Sequence, residues 1–519
     1  MNSAEPLPVN ASLPELIHGL VDLGQEADEL DIEVSGVQLD SRKVRPGELF
    51  MATFGRTHDA REFIGAAISR GAAAVLAESG RDWRGVRRLG NIPVIAVDHL
   101  MAKTSEIAGR FYREPSGRLS VIGVTGTNGK TTCSQYIARL LERTGCPAGI
   151  IGTLGYGVPG ELAESPLTTP DAVFAQMALA EMAHAGLRTV AMEVSSVGLH
   201  QRRVNGVHFD TAVFTNLTRD HLDYHDSMEA YGASKRRLFS SSGLRHAVIN
   251  LDDPYGIRVV NDLNSSVDVT TFGIGNRQAT IRAEDVTVTK QGFRAEIHTP
   301  AGTGRIDCKL LGRFNVSNIL AAIGVLLAGH DRRDVPGIER ICELASDLRS
   351  VDGRMEVQQG DDDVAAVVDY AHTPDGLEGA LRAVREHFTG RLWCVFGCGG
   401  NRDRGKRPIM GALAEKLADR VVITDDNPRL EDGDAIVSEI RSGMAAPAAA
   451  HVERDRERAI RHAIAGAEPG DVVLIAGKGH EDYQEIGAKR SRFSDAGVVR
   501  KALLERASAS REAQPETQE

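Results

Sequence analysis

The sequence predicts an α/β protein of three domains, and three observations carry that prediction. A chain of 519 residues is longer than one ordinary core can organise. Short apolar runs that end in glycine-rich or charged loops and then pass into helical spacing recur along it, as in sheets made of strand, loop and helix units. Breaker clusters at Glu114-Pro-Ser-Gly117 and Val351-Asp-Gly-Arg-Met355 read as a linker and a hinge. The expected division is a small amino-terminal α/β domain over 1–115, a central domain with a mainly parallel sheet over 116–349, a Rossmann-like α/β domain over 350–506, and a polar, disordered tail over 507–519.

Composition narrows the function classes. Hydrophobic residues make up 42% and charged residues 26% of the chain, as in a soluble globular protein. A net charge of -11 argues against a general nucleic-acid binder, which would carry a basic footprint. Residues Met1 to Pro8 lack the basic start and apolar centre of a signal peptide, and the longest apolar run, Ile319 to Gly329, is too short to span a bilayer. Six scattered cysteines give no disulfide framework, and the nearest pair, Cys394 and Cys398, reads as a strand and its turn rather than a metal pair. The expectation is a cytoplasmic monomer with small-molecule partners, no nucleic acid and no membrane span.

In the amino-terminal domain, strands are expected over Val34 to Leu39 and Ala72 to Ala77, with a helix over Met101 to Arg113. Leu39-Asp-Ser-Arg42 ends the first strand; taken alone it reads as a turn with ordinary hydrogen bonds. The central domain opens on Leu119 to Val124 and then Gly123-Val-Thr-Gly-Thr-Asn-Gly-Lys-Thr-Thr132, a strand, a glycine-rich turn and a helix start. Such a turn lets backbone N–H groups converge on phosphate at a helix N-terminus, with Lys130 reaching the outer phosphates and Thr131 able to ligate Mg²⁺. Its glycines fall at 123, 126 and 129, off the general Walker spacing.

Two further strands of this domain end in chemistry. Thr189 to Met192 runs into Glu193-Val-Ser-Ser196, which would bring a carboxylate to the same sheet edge as the phosphate loop and to the same metal. Thr211 to Phe214 ends in a loop with Asp220, His221, Asp223 and His225. A helix follows with Asp226 as expected N-cap and Glu229 closing a capping box; its Lys235-Arg-Arg237 reads by itself as a solvated basic face. Asn315 and Asn318 stand near the start of the apolar helix Ile319 to Leu327, as caps or as ligand contacts.

The third domain repeats the strand and loop unit four times, at Ala365 to Asp369, Leu392 to Phe396, Arg420 to Thr424 and Asp471 to Ile475. Four loops on one edge of an open parallel sheet suggest a site. Arg402 and Arg429 suit a carboxylate, and Asp426 and Glu481 suit an ammonium group.

Taken together these stretches resemble the Mur ligases, the ATP-dependent amino-acid-adding enzymes of peptidoglycan synthesis. The resemblance covers nearly the whole chain, from Leu39-Asp-Ser-Arg42 to Gly477-Lys-Gly-His-Glu-Asp-Tyr-Gln484. It implies an ATP loop of Gly126, Thr127, Asn128, Gly129, Lys130, Thr131 and Thr132, joined by Asn315 and Arg354. It implies contacts to a UDP-N-acetylmuramoyl-dipeptide from Leu39, Ser41, Thr168, Thr169, Ser195, Gln201 and Arg203. Lys235 matches a lysine that the family carbamylates to make a further carboxylate for Mg²⁺; with Thr131, Glu193 and His221 it would form the metal set, and Lys130, Lys235 and His221 the catalytic set. Asp426-Asn-Pro-Arg429 (with Asn427 and Pro428) is similar to the family signature for meso-diaminopimelate as distinct from lysine, and the resemblance adds Arg402, Gly477 and Glu481 to the diaminopimelate contacts. Val197 stands where many relatives have a histidine, so any role of that histidine does not carry over, and Leu167 stands where some have an asparagine, which removes one polar contact to the nucleotide-peptide. The implied reaction forms an acyl phosphate and then an amide, with domain closure expected because ATP and amino acid would sit on different domains. The rivals are a lysine-adding member, a folylpolyglutamate synthetase, and, in a different class, a phosphate-loop switch protein.

Overall fold

The computed structural model describes residues 10–21, 30–55, 58–80, 82–328, 336–360 and 363–512. Arg56 and Thr57, in a stretch that matches the family only loosely, and residues 513–519 of the expected tail lie outside them.

Three sheets carry the fold. The amino-terminal sheet runs in the order Val37–Gln38, Leu49–Ala52, Ala74–Glu78, Ile92–Val97, Val86–Leu89, parallel except for its last pair. The helix Leu100–Phe111 packs on it through Ile107, Ala108 and Phe111. The central sheet has eleven strands among the described residues. Seven of them, from Ala148–Gly152 through Thr189–Glu193, Ser120–Thr125, Thr211–Phe214, His246–Asn250 and Asp268–Ile274 to Ile281–Thr289, are parallel neighbours. The strands Ser120–Thr125, Thr189–Glu193 and Thr211–Phe214 are buried almost throughout, which is why they read as continuous apolar runs rather than alternating ones.

The third sheet runs Glu356–Gln359, Ala365–Asp369, Val472–Ala476, Leu392–Phe396, Arg420–Ile423, His451–Val452, parallel after its first pair. All four expected strands of this domain are present within one residue of their expected ends. The buried helix Arg313–Ala328 lies against the helix Lys130–Arg143 and the central sheet. Among the described residues no helix is long and apolar enough to cross a membrane.

Three local expectations are corrected. The cap of the helix Met228–Arg236 is Ser227, whose hydroxyl accepts from the Ala230 N–H, so neither Asp226 nor Glu229 forms the expected capping box. Asn315 and Asn318 lie inside the helix Arg313–Ala328 and cap nothing. The final helix, Asp495–Glu512, takes in residues 507–512, where Ala507 is buried, so that part of the expected tail is ordered. A hydrophobic segment at 498–503 packs on the third sheet and propagates the helix outward.

Candidate active site

The strand Ser120–Thr125 delivers the glycine-rich turn to the carboxyl edge of the central sheet, and the turn is shaped by the exit of the neighbouring strand. Thr127 N–H donates to the Asn216 carbonyl (2.9 Å), Asn128 N–H to Asn216 Oδ1 (2.8 Å), and Thr215 Oγ1 to the Asn128 carbonyl (2.6 Å). Gly126 sits at φ +155°, and a Cβ there would come within 1.8 Å of Thr215 Oγ1, so the close approach requires glycine. Gly129 begins the helix Lys130–Arg143. Lys130 Nζ donates to the Gly126 and Thr127 carbonyls (2.9 and 2.8 Å), lying across the mouth of its own loop. Thr132 is buried in the first helical turn.

Glu193, 1% exposed, meets this loop as expected: its Oε2 accepts from Thr131 Oγ1 (2.9 Å). A residue that the sequence did not single out completes the arrangement. Thr153, just past the strand Ala148–Gly152, donates its N–H to Glu193 Oε1 (2.8 Å) and contacts Glu193 Oε2 (3.1 Å) and Thr168 Oγ1 (3.0 Å) through its hydroxyl. A hydroxyl directly after a parallel strand was the only signal for it.

The other metal-set residues are near but not joined. His221, at φ +52°, pairs with Asp220 (Nε2 to Oδ2, 3.4 Å), and burial lowers its pKa. Lys235 overturns the solvated-face reading: it is 1% exposed, its Nζ donates to the Gly126 carbonyl (2.7 Å), and it lies 4.3 Å from the centre of the Tyr231 ring. Burial holds its pKa well below the usual lysine range. Helical spacing placed Lys235 beside two arginines but could not show that Tyr231 and the phosphate loop cover it. Among the described residues no three His, Cys, Asp or Glu side chains gather into a ready-made metal site. Thr131 and Glu193 supply the paired oxygens that Mg²⁺ prefers, and a carboxylate grown on Lys235 would add to them.

Thr168, Thr169, Ser195, Gln201 and Arg203 form one connected network. Thr169 Oγ1 donates to the Glu193 carbonyl (2.9 Å) and accepts from the Ser195 N–H (2.8 Å). Arg203 donates to the Thr169 carbonyl (2.6 Å) and, through Nε and Nη2, to Gln201 Oε1 (3.0 and 2.6 Å). Gln201 Nε2 in turn reaches Tyr224 Oη (3.2 Å), a partner that the sequence reading missed. His200 and Arg202 continue this junction into a cleft of about 980 Å³, otherwise lined by amino-terminal residues including Phe54, Arg61 and Trp83. Leu39 and buried Ser41 lie on the amino-terminal domain and do not line the cleft; beside them Arg42 pairs with Asp40 as an ordinary turn would.

Across the hinge, Arg354 reaches back to the phosphate loop. Its Nη2 donates to Thr131 Oγ1 (3.3 Å), and its guanidinium lies 4.3 Å from the centre of the Tyr370 ring. Asn315 is buried, donating to the Leu311 carbonyl (2.8 Å) and accepting from Asn318 Nδ2 (3.1 Å).

The four loops of the third sheet converge as expected. Pro428 and Gly477 are buried, and Gly477, at φ +123°, would drive a Cβ to 2.5 Å from Asp426 Oδ2. Asp426 is 7% exposed, and its carboxylate accepts no hydrogen bond among the described residues. Arg429, at φ +53°, is held by Glu485 Oε2 at Nε (3.1 Å) and by the Gly400 carbonyl at Nη1 (2.9 Å). Arg402 is exposed and pairs with no carboxylate among the described residues. Glu481 is not left open for a ligand alone: Lys478 and Asn427 both donate to its Oε2 (2.9 Å each). Lys478, on a loop, and Glu485, on the short strand Tyr483–Ile486, were missed because a single charge in the sequence does not reveal which way its side chain turns.

A phosphate loop with a carboxylate at its helix start, joined across a hinge by Arg354 to a third domain whose loops gather charged side chains, is the arrangement of a three-domain ATP-dependent ligase. The chain belongs to the Mur ligase family. Residues 33–112 match the Mur ligase family, catalytic domain; residues 124–326 match the Mur ligase middle domain; and residues 353–479 match the Mur ligase, glutamate ligase domain. The chain is 48% identical over 498 residues to the UDP-N-acetylmuramoyl-L-alanyl-D-glutamate--2,6-diaminopimelate ligase of Ectopseudomonas mendocina, covering 96% of this chain and 98% of that one. A solved structure of a ligase of the same name superposes with a TM-score of 0.66 at 36% identity, covering 97% and 99% of the two chains. Mycobacterium tuberculosis folylpolyglutamate synthase, solved with ADP and AMPPCP, shares the fold alone, with a TM-score of 0.60 at 18% identity over 72% of this chain and 92% of that one.

Proposed function

We propose that the chain joins meso-diaminopimelate to UDP-N-acetylmuramoyl-L-alanyl-D-glutamate, using ATP, as a step of peptidoglycan synthesis. The observation that carries this reading is the presence, on one sheet edge, of a fixed guanidinium at Arg429 and a nearly buried carboxylate at Asp426 that accepts no hydrogen bond among the described residues. The distal centre of diaminopimelate carries a carboxylate and an ammonium, whereas lysine ends in an amine alone. With lysine bound, the Arg429 guanidinium would gain no substrate carboxylate beside its Glu485 and Gly400 partners, and the site would forgo a charge-assisted contact that diaminopimelate supplies.

The chemistry divides along the proposed domains, 1–115 for the nucleotide sugar, 116–349 for ATP and 350–506 for the amino acid. The network of Thr168, Thr169, Ser195, Gln201 and Arg203 holds the muramoyl-peptide, and the adjoining cleft with its arginine and aromatic walls offers room for the nucleotide. The D-glutamate side-chain carboxylate attacks the terminal phosphorus of ATP and ADP leaves. The diaminopimelate nitrogen then attacks the acyl carbon, phosphate leaves, and the amine gives up a proton. Lys130 turns from its own loop carbonyls to the outer phosphates and, with Arg354 above Thr131, offsets charge on the transferring group. Mg²⁺, when bound, would neutralise phosphate charge; Thr131, Glu193, His221 and carbamylated Lys235 are the residues that would hold it.

The test is phosphate release from ATP in the presence of the muramoyl-dipeptide, with diaminopimelate or lysine added. Release should rise with diaminopimelate and stay near background with lysine. Equal release with either would reject the specificity, and release without any amino acid would favour the slow switch.

A further inference from the structure

Lys478 is wholly enclosed, at 0% exposure, beside the amino-acid site. It follows Gly477, whose φ of +123° turns the backbone at this point. The ammonium has two hydrogen-bond partners, Asn427 Oδ1 (3.0 Å) and Glu481 Oε2 (2.9 Å), and lies 5.3 Å from the centre of the Tyr483 ring. Asn427 closes the triangle by donating Nδ2 to the same Glu481 Oε2 (2.9 Å), while its Oδ1 also accepts from the Glu485 N–H (2.9 Å). Both donors therefore meet one oxygen of Glu481. The other, Oε1, accepts nothing among the described residues, and the side chain keeps 16% exposure. A charge so buried is normally retained only when fully paired, because an unpaired partner costs more than the pair gains.

Resting on the diaminopimelate reading above, we infer that Lys478 is a positioning residue: it fixes the rotamer and charge of Glu481 so that Oε1 faces the distal ammonium of the substrate. Lys478 itself touches no substrate, being covered on every side. It also fixes the amide of Asn427, and through the Glu485 N–H the segment that holds Arg429. The carboxylate and ammonium subsites are thereby set by one buried cation.

The experiment compares diaminopimelate with 2-aminopimelate, which keeps the distal carboxylate and lacks the distal ammonium, in the wild-type enzyme and in Lys478→Met. Removing one partner of a buried charge pair should raise the KM for diaminopimelate roughly 30-fold. The KM for ATP should stay within about threefold and kcat should fall less than KM rises, as for lost binding of the amino acid alone. The preference for diaminopimelate over 2-aminopimelate should fall roughly tenfold or more, since the variant no longer aims Glu481 at the ammonium. A merely structural role would lower kcat with both substrates and leave that preference intact, which would overturn the inference. Should the methionine variant not fold, Lys478→Gln is measured, with the same loss of preference expected and an intact preference equally fatal. A wild-type enzyme indifferent to diaminopimelate would overturn the functional reading and this inference together; a selective wild type with a selective variant would overturn the inference alone.

Discussion

At the scale of single residues, the site depends on side chains whose surroundings decide their chemistry. Lys235 shows this most clearly. An exposed lysine is a strongly hydrated cation, but here the ammonium donates to one carbonyl and lies against one aromatic face, with no carboxylate bonded to it among the described residues. The buried site favours the neutral amine, which is the form that adds CO₂ to give a carbamate and release a proton. Replacing Lys235 by alanine should therefore lower turnover by roughly 10²- to 10³-fold, the usual effect of losing one preorganised charge-stabilising group. Formate or acetate, entering the space left behind, should restore part of that loss. Full activity in the alanine variant without added acid would remove the carboxylate role.

At the scale of elements, three histidines stand in the loops that follow the carboxyl ends of parallel strands, and each is held as the neutral ring. Burial lowers the pKa of His225 and of His372 to about 4, and that of His480 to about 3. In the unfolded chain a histidine titrates near 6.5. Below that pH the unfolded chain binds protons that the folded one refuses, so the contribution to stability is complete above about 6.5 and is lost as the pH falls toward the folded values. The melting temperature should fall between pH 7 and pH 5, a window that lies above the ordinary carboxylate range. His225→Gln, whose amide can keep the bond to Ser196 Oγ (3.0 Å), should flatten that slope; an unchanged slope would reject the assignment. The strands that carry these loops were legible because strands buried on both faces leave continuous apolar runs, and the loops because they follow such strands. Direction was not legible. Whether Lys235 points outward depends on a neighbour 109 residues away, whether Lys478 is buried depends on one 51 residues away, and whether Ser227 or Asp226 caps a helix depends on a backbone angle that either residue could adopt. The order of residues 507–512 was missed for the same reason, since a polar segment can be helical when apolar residues before it are anchored.

At the scale of the whole molecule, one arginine spans the two halves of the chemistry. Arg354 leaves the hinge, where Val351 and Arg354 form an isolated bridge, passes over Tyr370 and donates to Thr131 at the head of the phosphate loop. An acyl phosphate formed at that loop must meet an amine held by the loops of the third sheet, and water must be kept from it in the meantime. Phosphate entering the loop competes for the Arg354 and Thr131 donors, so nucleotide binding and the set of the third domain are coupled through this contact. Ligands that fill all three sites should therefore draw the domains together. Small-angle scattering with a non-hydrolysable ATP analogue, the muramoyl-dipeptide and diaminopimelate should give a smaller radius of gyration than the free protein, with Arg354→Ala showing a weaker contraction at equal occupancy. Scattering curves that are identical with and without the three ligands would mean that the site is assembled before substrates arrive, and that Arg354 only braces a rigid hinge.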